Sequence, residues 1–502
     1  MSLRCFVGLD VGTSSTKAVL VAVETGEVLR TVTRSHEVRR GAAGLVEMDQ
    51  EIWWDEFRSI YPELTAAVEG VEPGIAGIGV SGMGPCVAVT DADDHPIAPS
   101  ALYGVDARAR EQIDALAARF GQDELLARYD SQLTTQAGGP KLVWFAEHHP
   151  EDFAEPTRLY MPSSALIRKL TGEYVLDRQS ASQCTPLYDP ETCEWDEEMW
   201  RALSPGTIPP RLGWSDEICG HTRTREDLPA LAAGIPVTFG TVDAWAEQES
   251  VGAVADHELF LMYGTTLFLV ANSTRRARHP AMWGTTGTRA GMRNLAGGLA
   301  TSGSLTDWMR RITGEDDYSV LTAEAAEVAP GCDGLMVLPY FAGERTPVQD
   351  PDARGIIAGL TLDHTRAHLY RAMLEGTALA VRHNIEVMEA AGLRIDTIAC
   401  AGGGVTSDLW PQIVSDVTGR AQVRRRHHVG AALGDAFLVA RALGEVESID
   451  PWNPVEYVFE PRTSDAVDYD RRYADYRALY ERTTEIAHHL AADGEAAGGA
   501  ED

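Results

Sequence analysis

The sequence predicts an α/β protein made of two duplicated halves that face each other across a cleft. Three observations carry this. The stretch Gly8 to Leu20 sets Asp10 and the hydroxyl-rich turn Gly12-Thr13-Ser14-Ser15 between two apolar, β-type runs. The device recurs where Glu258 to Tyr263 runs into Gly264-Thr265-Thr266 and then into Leu267 to Ala271. A third turn, Gly402-Gly403-Gly404, separates the apolar run Thr397 to Ala401 from a helical pattern. Backbone N–H groups and hydroxyls at such turns suit phosphate oxygens, and a carboxylate beside them suits a hydrated Mg²⁺.

The elements follow in order. Cys5 to Leu9, Thr16 to Val23 and Val28 to Ser35 read as an antiparallel meander, with Thr25-Gly26-Glu27 as its second turn. Asp49 can cap a helix in which Ile52, Trp53, Phe57, Ile60 and Leu64 recur at helical spacing to about Val68, with Pro62 expected to kink or interrupt it. Ile75 to Ser81 then reads as a buried parallel strand. A Gly-Thr hairpin within a duplicated βββαβ unit is the pattern of the actin-like, ribonuclease-H-like nucleotide-binding fold.

Helices are expected at Asp106 to Phe120 and Leu142 to His148, and the polar stretch Asp177 to Trp200 reads as an insertion. Strand Pro236 to Phe239 delivers Gly240-Thr241-Val242-Asp243, and a boundary near Ala253 to Asp256 gives domains 1–253 and 254–460. In the second, Arg366 to Ala391 is a long helix stopped by Gly392. Ser407 can cap the helix after the glycine turn, where Pro411 falls in the first turn and its missing N–H costs little. Tyr469, Tyr473, Tyr476 and Tyr480 make a helical stripe, so 461–492 is expected to pack back on the core, and the acidic, glycine-rich 493–502 to be disordered.

With 75 acidic and 43 basic side chains, the 502-residue chain carries a net charge of −32, which argues against nucleic-acid or acidic-membrane partners. No signal-peptide pattern opens it, and no apolar run approaches the roughly 18–20 residues that span a bilayer, so a cytoplasmic protein is expected. The seven cysteines are scattered without a C-x-x-C pair, which argues against a disulfide framework or a zinc site. A homodimer is left open.

Asp243 is the foremost catalytic candidate. It follows an apolar strand and opens Asp243-Ala244-Trp245-Ala246-Glu247, a placement in which a carboxylate at a strand's end can take a hydroxyl proton. Gly77-x-Gly79-x-x-Gly82 is set aside as a dinucleotide fingerprint because a β-like run, Cys86 to Val89, follows it instead of a helix. Ser81 is set aside as a nucleophile for want of a histidine partner, and the three adjacent histidine pairs read as surface residues.

Taken together, over about residues 4 to 445, the chain resembles the FGGY family of carbohydrate kinases, in its xylulokinase-like branch. The markers are the opening Gly8 to Lys17, Asp106 and Arg108, Gly138-Gly139-Pro140-Lys141, Leu170-Thr171-Gly172-Glu173, Gly240 to Asp243, Leu338 to Pro347 and Ala401 to Gly404. The resemblance implies transfer of the γ-phosphoryl group of ATP, with Mg²⁺, to a hydroxyl of a small sugar or polyol. Carried over by motif position, Asp10 organises the metal with Asp243 beside it, and Asp243 is the base. Gly12, Thr13, Ser14, Ser15 and Lys17 approach the phosphates, with Gly264, Thr265 and Thr266 closing from the other domain. Gly303, Asp307, Gly402, Gly403 and Ser407 border the adenosine.

The sugar side would hold Gly82, Met83, Gly84, Asp106 and Trp245. Two departures stand there: Gly84 where xylulokinases place His, and Ala244-Trp245 where the pattern after the catalytic Asp has Asn. Lost polar partners cost about 1–3 kcal/mol per unpaired buried group, so D-xylulose is expected to be a poor substrate. A ketopentose such as xylulose remains the leading acceptor class, with ribulose, glycerol, gluconate or another ketose, polyol or sugar acid as alternatives. A non-catalytic ATP-clamp regulator is the reading from a different class.

Overall fold

The computed structural model describes residues 3–462 and 467–498. In the N-terminal half, β1 (Leu3–Val11), β2 (Ser15–Ala22) and β3 (Val28–Ser35) form the expected meander. Helix α1 (Glu51–Leu64) crosses over and β4 (Pro73–Gly82) returns parallel to β1. With β5 (Ile218–His221) and β6 (Pro236–Thr238), the order is β5-β6-β4-β1-β2-β3.

The C-terminal half repeats it with β7 (Glu258–Tyr263), β8 (Leu267–Ser273), β9 (Trp283–Thr286), β10 (Arg293–Leu299), β11 (Thr397–Ala401), β12 (Ala421–Arg425) and β13 (Val455–Phe459). Their order is β9-β10-β8-β7-β11-β12-β13. From β1 or β7 outward, each sheet runs through an antiparallel hairpin on one side, and through two parallel strands and an antiparallel edge strand on the other. The duplication expected from the Gly-Thr turns is therefore a duplication of whole sheets.

Two helices are exchanged between the halves. Helix α2 (Asp243–Ser250) ends the N-terminal half, yet Trp245 packs against Phe260, Val270, Ala296 and Ala399 of the C-terminal sheet. Further on, α3 (Arg366–Ala390) and α4 (Leu409–Thr418) cover the C-terminal sheet, and α5 (Ala431–Ala442) crosses back, setting Ala432, Ala436 and Val439 among Phe6, Val19 and Val21. Residues 431–442 thus pack with the N-terminal sheet, although the sequence placed them in the 254–460 domain. Glycine permits the contact: a Cβ at Gly8, Gly79 or Gly434 would overlap the carbonyl of Ala432, Asp435 or Ala246. The set-aside Gly77-x-Gly79 pattern is thus a helix-packing surface.

Local differences have physical causes. Helix α1 stops at Leu64, short of Val68, with Pro62 in its last turn and the Arg30 guanidinium donating to the carbonyls of Glu63, Leu64 and Ala66. The helix expected from Asp106 begins at Arg110, because Asp106 is committed elsewhere. The stretch 177–200 folds into short helices and a two-stranded hairpin and touches the other half, where the Tyr188 hydroxyl lies 3.0 Å from that of Thr286. The last helix, α6 (Tyr469–Gly498), runs past Asp493, as its Ala/Glu-rich sequence favours. Residues 499–502 lie outside the described residues. Tyr473 and Tyr476 of α6 are buried, and the Tyr476 hydroxyl meets that of Tyr340 at 2.6 Å.

Candidate active site

The strand register assembles the floor of the cleft. Lys17 lies opposite Asp10 across β1 and β2, Asp10 opposite Ser81 across β1 and β4, and Ser81 opposite Thr241. Paired residues project from one face of a sheet, so Lys17, Asp10, Ser81 and Thr241 form one row. Asp243 follows at the start of α2, its Oδ1 accepting from the Ala244 N–H at 2.7 Å. Along α2 only Asp243, Ala244 and Glu247 keep partial exposure, so the face of the helix that meets the cleft carries two carboxylates one turn apart.

Acids dominate this floor. Burial, then the neighbouring Asp243, raises the Asp10 carboxyl above its ordinary range, against the pull of Lys17. Burial raises Asp243 as well, with the Ala244 N–H opposing, and pushes Glu247 up to about 7. Asp435 of α5, which accepts from the Ser81 hydroxyl at 2.7 Å, is raised by burial and by Asp10 and Asp243. Lys17 reaches the row and donates to the Val429 carbonyl. Asp10 Oδ1 is buried without a hydrogen-bond partner, and a cation would relieve both that and the acid crowding. Among the described residues no group of three or more His, Cys, Asp or Glu forms a metal cage. Mg²⁺ asks for less, one or two carboxylates beside phosphate and water.

In both Gly-Thr turns a residue from outside the turn donates to the glycine carbonyl. The Gly12 N–H donates to the Ser15 carbonyl at 3.0 Å, and His36, held by Glu56, braces the Gly12 carbonyl at 3.0 Å from outside. Thr13 at its tip lies 3.1 Å from the Tyr103 hydroxyl, while Ser14 receives the His36 N–H on its carbonyl at 2.9 Å. In the other half, the Gly303 N–H donates to the Gly264 carbonyl at 2.9 Å and the Ser304 N–H to that of Thr265 at 3.0 Å. Gly402 takes φ +91°, and a Cβ there would sit 2.6 Å from the Tyr263 carbonyl oxygen, so only glycine fits against β7. A cleft of about 670 Å³ follows, bordered by Gly264, Thr265, Gly303, Asp307, Gly403 and Ser407. That size suits a nucleotide. Thr266 leads into β8, and Ser407 Oγ accepts from the Leu409 N–H at 3.2 Å, close to its expected capping role.

The sugar side is corrected in several places. Trp245 is 2% exposed, its indole N–H donates to Asn294 Oδ1 at 3.0 Å, and its ring packs 5.6 Å from Phe268. It turns away from Asp243 because two residues on a helix lie roughly 200° apart, so it lines the core between the halves and no sugar pocket. Asp106 spends both oxygens on Arg108 and on the Val46 N–H at 2.7 Å, which fixes the Tyr103 loop but leaves no acceptor for a ligand. Met83 is 1% exposed within the N-terminal core. A Cβ on Gly84 would lie 2.6 Å from Val242, and one on Gly82 2.8 Å from Pro162, so this loop packs tightly beneath the Asp243 strand.

The sequence reading assigned no role to Tyr103, Glu247, Asp435 or Lys141. The Asp243/Glu247 spacing of four was a usable signal. Lys141 stood in the marker Gly138 to Lys141 without a role of its own: it is buried, donates to the carbonyls of Tyr103 and Thr135 at 3.0 and 2.6 Å, and burial lowers it to about 8.

A cleft with phosphate-type turns on both walls and a carboxylate row on its floor matches what the comparisons find. The family model for the N-terminal domain of the FGGY family of carbohydrate kinases matches residues 5–248, and that for the C-terminal domain residues 259–443. The chain belongs to the FGGY family of carbohydrate kinases. It is an ATP-dependent sugar kinase with the actin-like, two-domain fold of that family. The xylulose kinase of Escherichia coli is 28% identical over 95% of this chain and 99% of its own length. The crystal structure of xylulose kinase from Rhodospirillum rubrum superposes with a TM-score of 0.87 at 30% identity, covering 97% of this chain and 100% of that one. Plasmodium falciparum glycerol kinase with ADP shares the fold, with a TM-score of 0.87 at 20% identity over 97% of this chain and 98% of that one. No helix among the described residues of the kinase is long and apolar enough to cross a membrane.

Proposed function

We propose that the kinase transfers the γ-phosphoryl group of Mg²⁺-bound ATP to a hydroxyl of a small neutral ketose, with a ketopentose such as xylulose as the first candidate. The observation that carries this is Asp243: its carboxylate stands at the head of α2, on the cleft side, next to the Asp10 row and above the Gly84 loop. A group raised above the ordinary carboxylate range, yet ionised near neutrality, is matched to accepting a hydroxyl proton. Lys17 and the turns at Gly12 and Gly264 hold the phosphates. Asp10, with Asp243 beside it, would hold Mg²⁺, which when bound neutralises charge on the transferring group. Closure of the two halves would keep water from competing with the acceptor.

Neutrality of the acceptor follows from the acid-rich floor, where a sugar acid would meet Asp10, Asp243 and Glu247 with Lys17 as the nearby cation. Gluconate is thereby disfavoured. With Trp245 inside the core, the ground for excluding xylulose narrows to the bare Gly84, so it heads the panel to be tried. Seven unpaired cysteines and the need for ATP support a cytoplasmic reaction. A coupled ADP-release assay across ketopentoses, glycerol and gluconate tests the reading. A neutral ketose should reach the common range for good enzymes, roughly 10⁴ M⁻¹s⁻¹ or more in kcat/KM, and turnover of gluconate alone would overturn it.

A further inference from the structure

A side chain from outside the phosphate turns reaches the first of them directly. The Tyr103 hydroxyl lies 3.1 Å from Thr13 Oγ1 at the tip of the β1/β2 hairpin, and both residues are half-buried. Among the described residues this is the one hydrogen bond of either hydroxyl. The backbone that carries Tyr103 is held from several sides. Its carbonyl accepts from the Asp106 N–H at 3.1 Å and from the Lys141 ammonium at 3.0 Å. The Gly104 N–H donates to Gln136 Oε1 at 3.1 Å, and the Gly104 carbonyl accepts from the Thr135 hydroxyl at 2.8 Å. Lys141, on the helix Gly138–His148, also donates to the Thr135 carbonyl at 2.6 Å, which ties that segment to the Tyr103 loop as one block. A hydroxyl carried on so fixed a backbone can set the position of its partner at the tip of a turn.

The protons of the pair can be counted. Burial raises the Tyr103 phenol above its ordinary range, with the Thr13 bond opposing and Asp243 adding to the rise, so both hydroxyls keep their protons at neutral pH. One proton closes the bond between them and the other is left to donate to a third oxygen. A phenolic hydroxyl is more acidic than an aliphatic one and is the better donor of the two, and a hydroxyl that accepts a bond donates a stronger one in turn. We propose that Tyr103 is a positioning residue of the phosphate turn: its hydroxyl donates to Thr13 Oγ1 and leaves the Thr13 proton for an oxygen of the transferring phosphoryl group. The proposal rests on the reading of Thr13 as a partner of the ATP phosphates. It also gives Lys141 and Gln136 a task, since they hold the loop that holds Thr13.

Steady-state kinetics on Tyr103→Phe, Thr13→Val and the double variant test it, each substitution keeping the shape of its side chain and removing one hydroxyl. Tyr103→Phe should lower kcat about 3–10-fold, the contribution of one hydrogen bond, at little change in acceptor KM. Thr13→Val should lower it about 10²-fold or more, as removal of a donor to the reacting group does. On the Thr13→Val background Tyr103→Phe should cost nothing further, because the bond it serves is already gone. The same loss on that background as on the parent would show that Tyr103 acts on its own, and would overturn the inference. So would a raised acceptor KM with kcat kept, which makes the phenol a ligand of the acceptor, or kinetic constants equal to the parent's, whatever the melting temperature. If Thr13→Val turns over like the parent, the reading of Thr13 at the phosphates fails first and the inference falls with it.

Discussion

At the residue scale, the chemistry turns on which side of α2 a side chain occupies. Asp243→Asn keeps the size and position of the group but removes the proton acceptor, so turnover should drop about 10²–10⁴-fold while ATP and sugar still bind. Activity close to the parent's would remove Asp243 from the mechanism. Trp245, two residues on, faces the opposite way, so Trp245→Ala should destabilise the fold by about 3–5 kcal/mol as a core truncation. Equilibrium denaturation checks this, and a raised acceptor KM with an unshifted midpoint would return the indole to the sugar pocket. The sequence marked Asp243 through its strand and glycine turn but could not orient Trp245, because a tryptophan after a catalytic Asp is equally compatible with a pocket and with a core. Asp106 misled for a similar reason: a motif carboxylate does not reveal that its partner is the Arg two positions later.

Glu344 makes a pH prediction at the same scale. Its Oε1 accepts from the N–H groups of Ala300 and Arg345, while burial leaves Oε2 without a partner and raises the group from 4.5 to about 8. The folded state therefore holds a proton that the unfolded chain releases earlier. The sign follows: this contribution to stability is complete below 4.5 and is lost as pH climbs through about 8. Glu344→Gln should flatten the decline of the melting temperature across that window. An equally steep decline in the variant would assign it to other acids, such as Asp10.

At the scale of elements, the exchanged helices explain the glycines of the set-aside Gly77-x-Gly79 pattern and Gly434 of α5. Gly77 and Gly79 sit mid-strand, where no phosphate comes, and Gly434 sits mid-helix against the Ala246 carbonyl. Gly434→Ala drives a methyl into backbone that has no room to yield, so α2 and α5 must separate, at about 1–3 kcal/mol as for other overpacked sites. Because α2 carries Asp243, the proposed base, activity should fall further than the lost stability explains. A variant with unchanged melting temperature and turnover would show that the helices tolerate a wider spacing. The turns at Gly12, Gly264 and Gly402 were legible because local chemistry fixes them. Nothing local tells a glycine at a ligand turn from one that admits a helix several hundred residues away, and only the packing of α5 against β1 and β4 showed the difference.

At the scale of the whole molecule, the chain passes between the halves three times: after α2, between β12 and α5, and between α5 and β13. The first passage is the boundary the sequence placed near Ala253; the other two were hidden, since an apolar helix such as α5 carries no label for the sheet it covers. Asn453, 0% exposed, ties all three. It lies in the third passage, its side-chain amide donates to the carbonyls of Ser250 in the first and His427 in the second, and its Oδ1 accepts from the His427 N–H at 2.8 Å. Arg425 supports the knot by donating to the carbonyls of Val251 and Asn453. On the proposed closure of the cleft, the chain bends at these passages, far from the reacting atoms. Asn453→Ala strands buried N–H and carbonyl groups at about 1–3 kcal/mol each, which lowers the melting temperature and loosens the hinge. Hinge changes alter kcat and KM together, so both should shift for ATP and for the acceptor although Asn453 meets neither. Steady-state kinetics on the folded variant decide it: a stability loss with both constants unmoved would make the knot a static clasp, and closure would then have to pivot elsewhere.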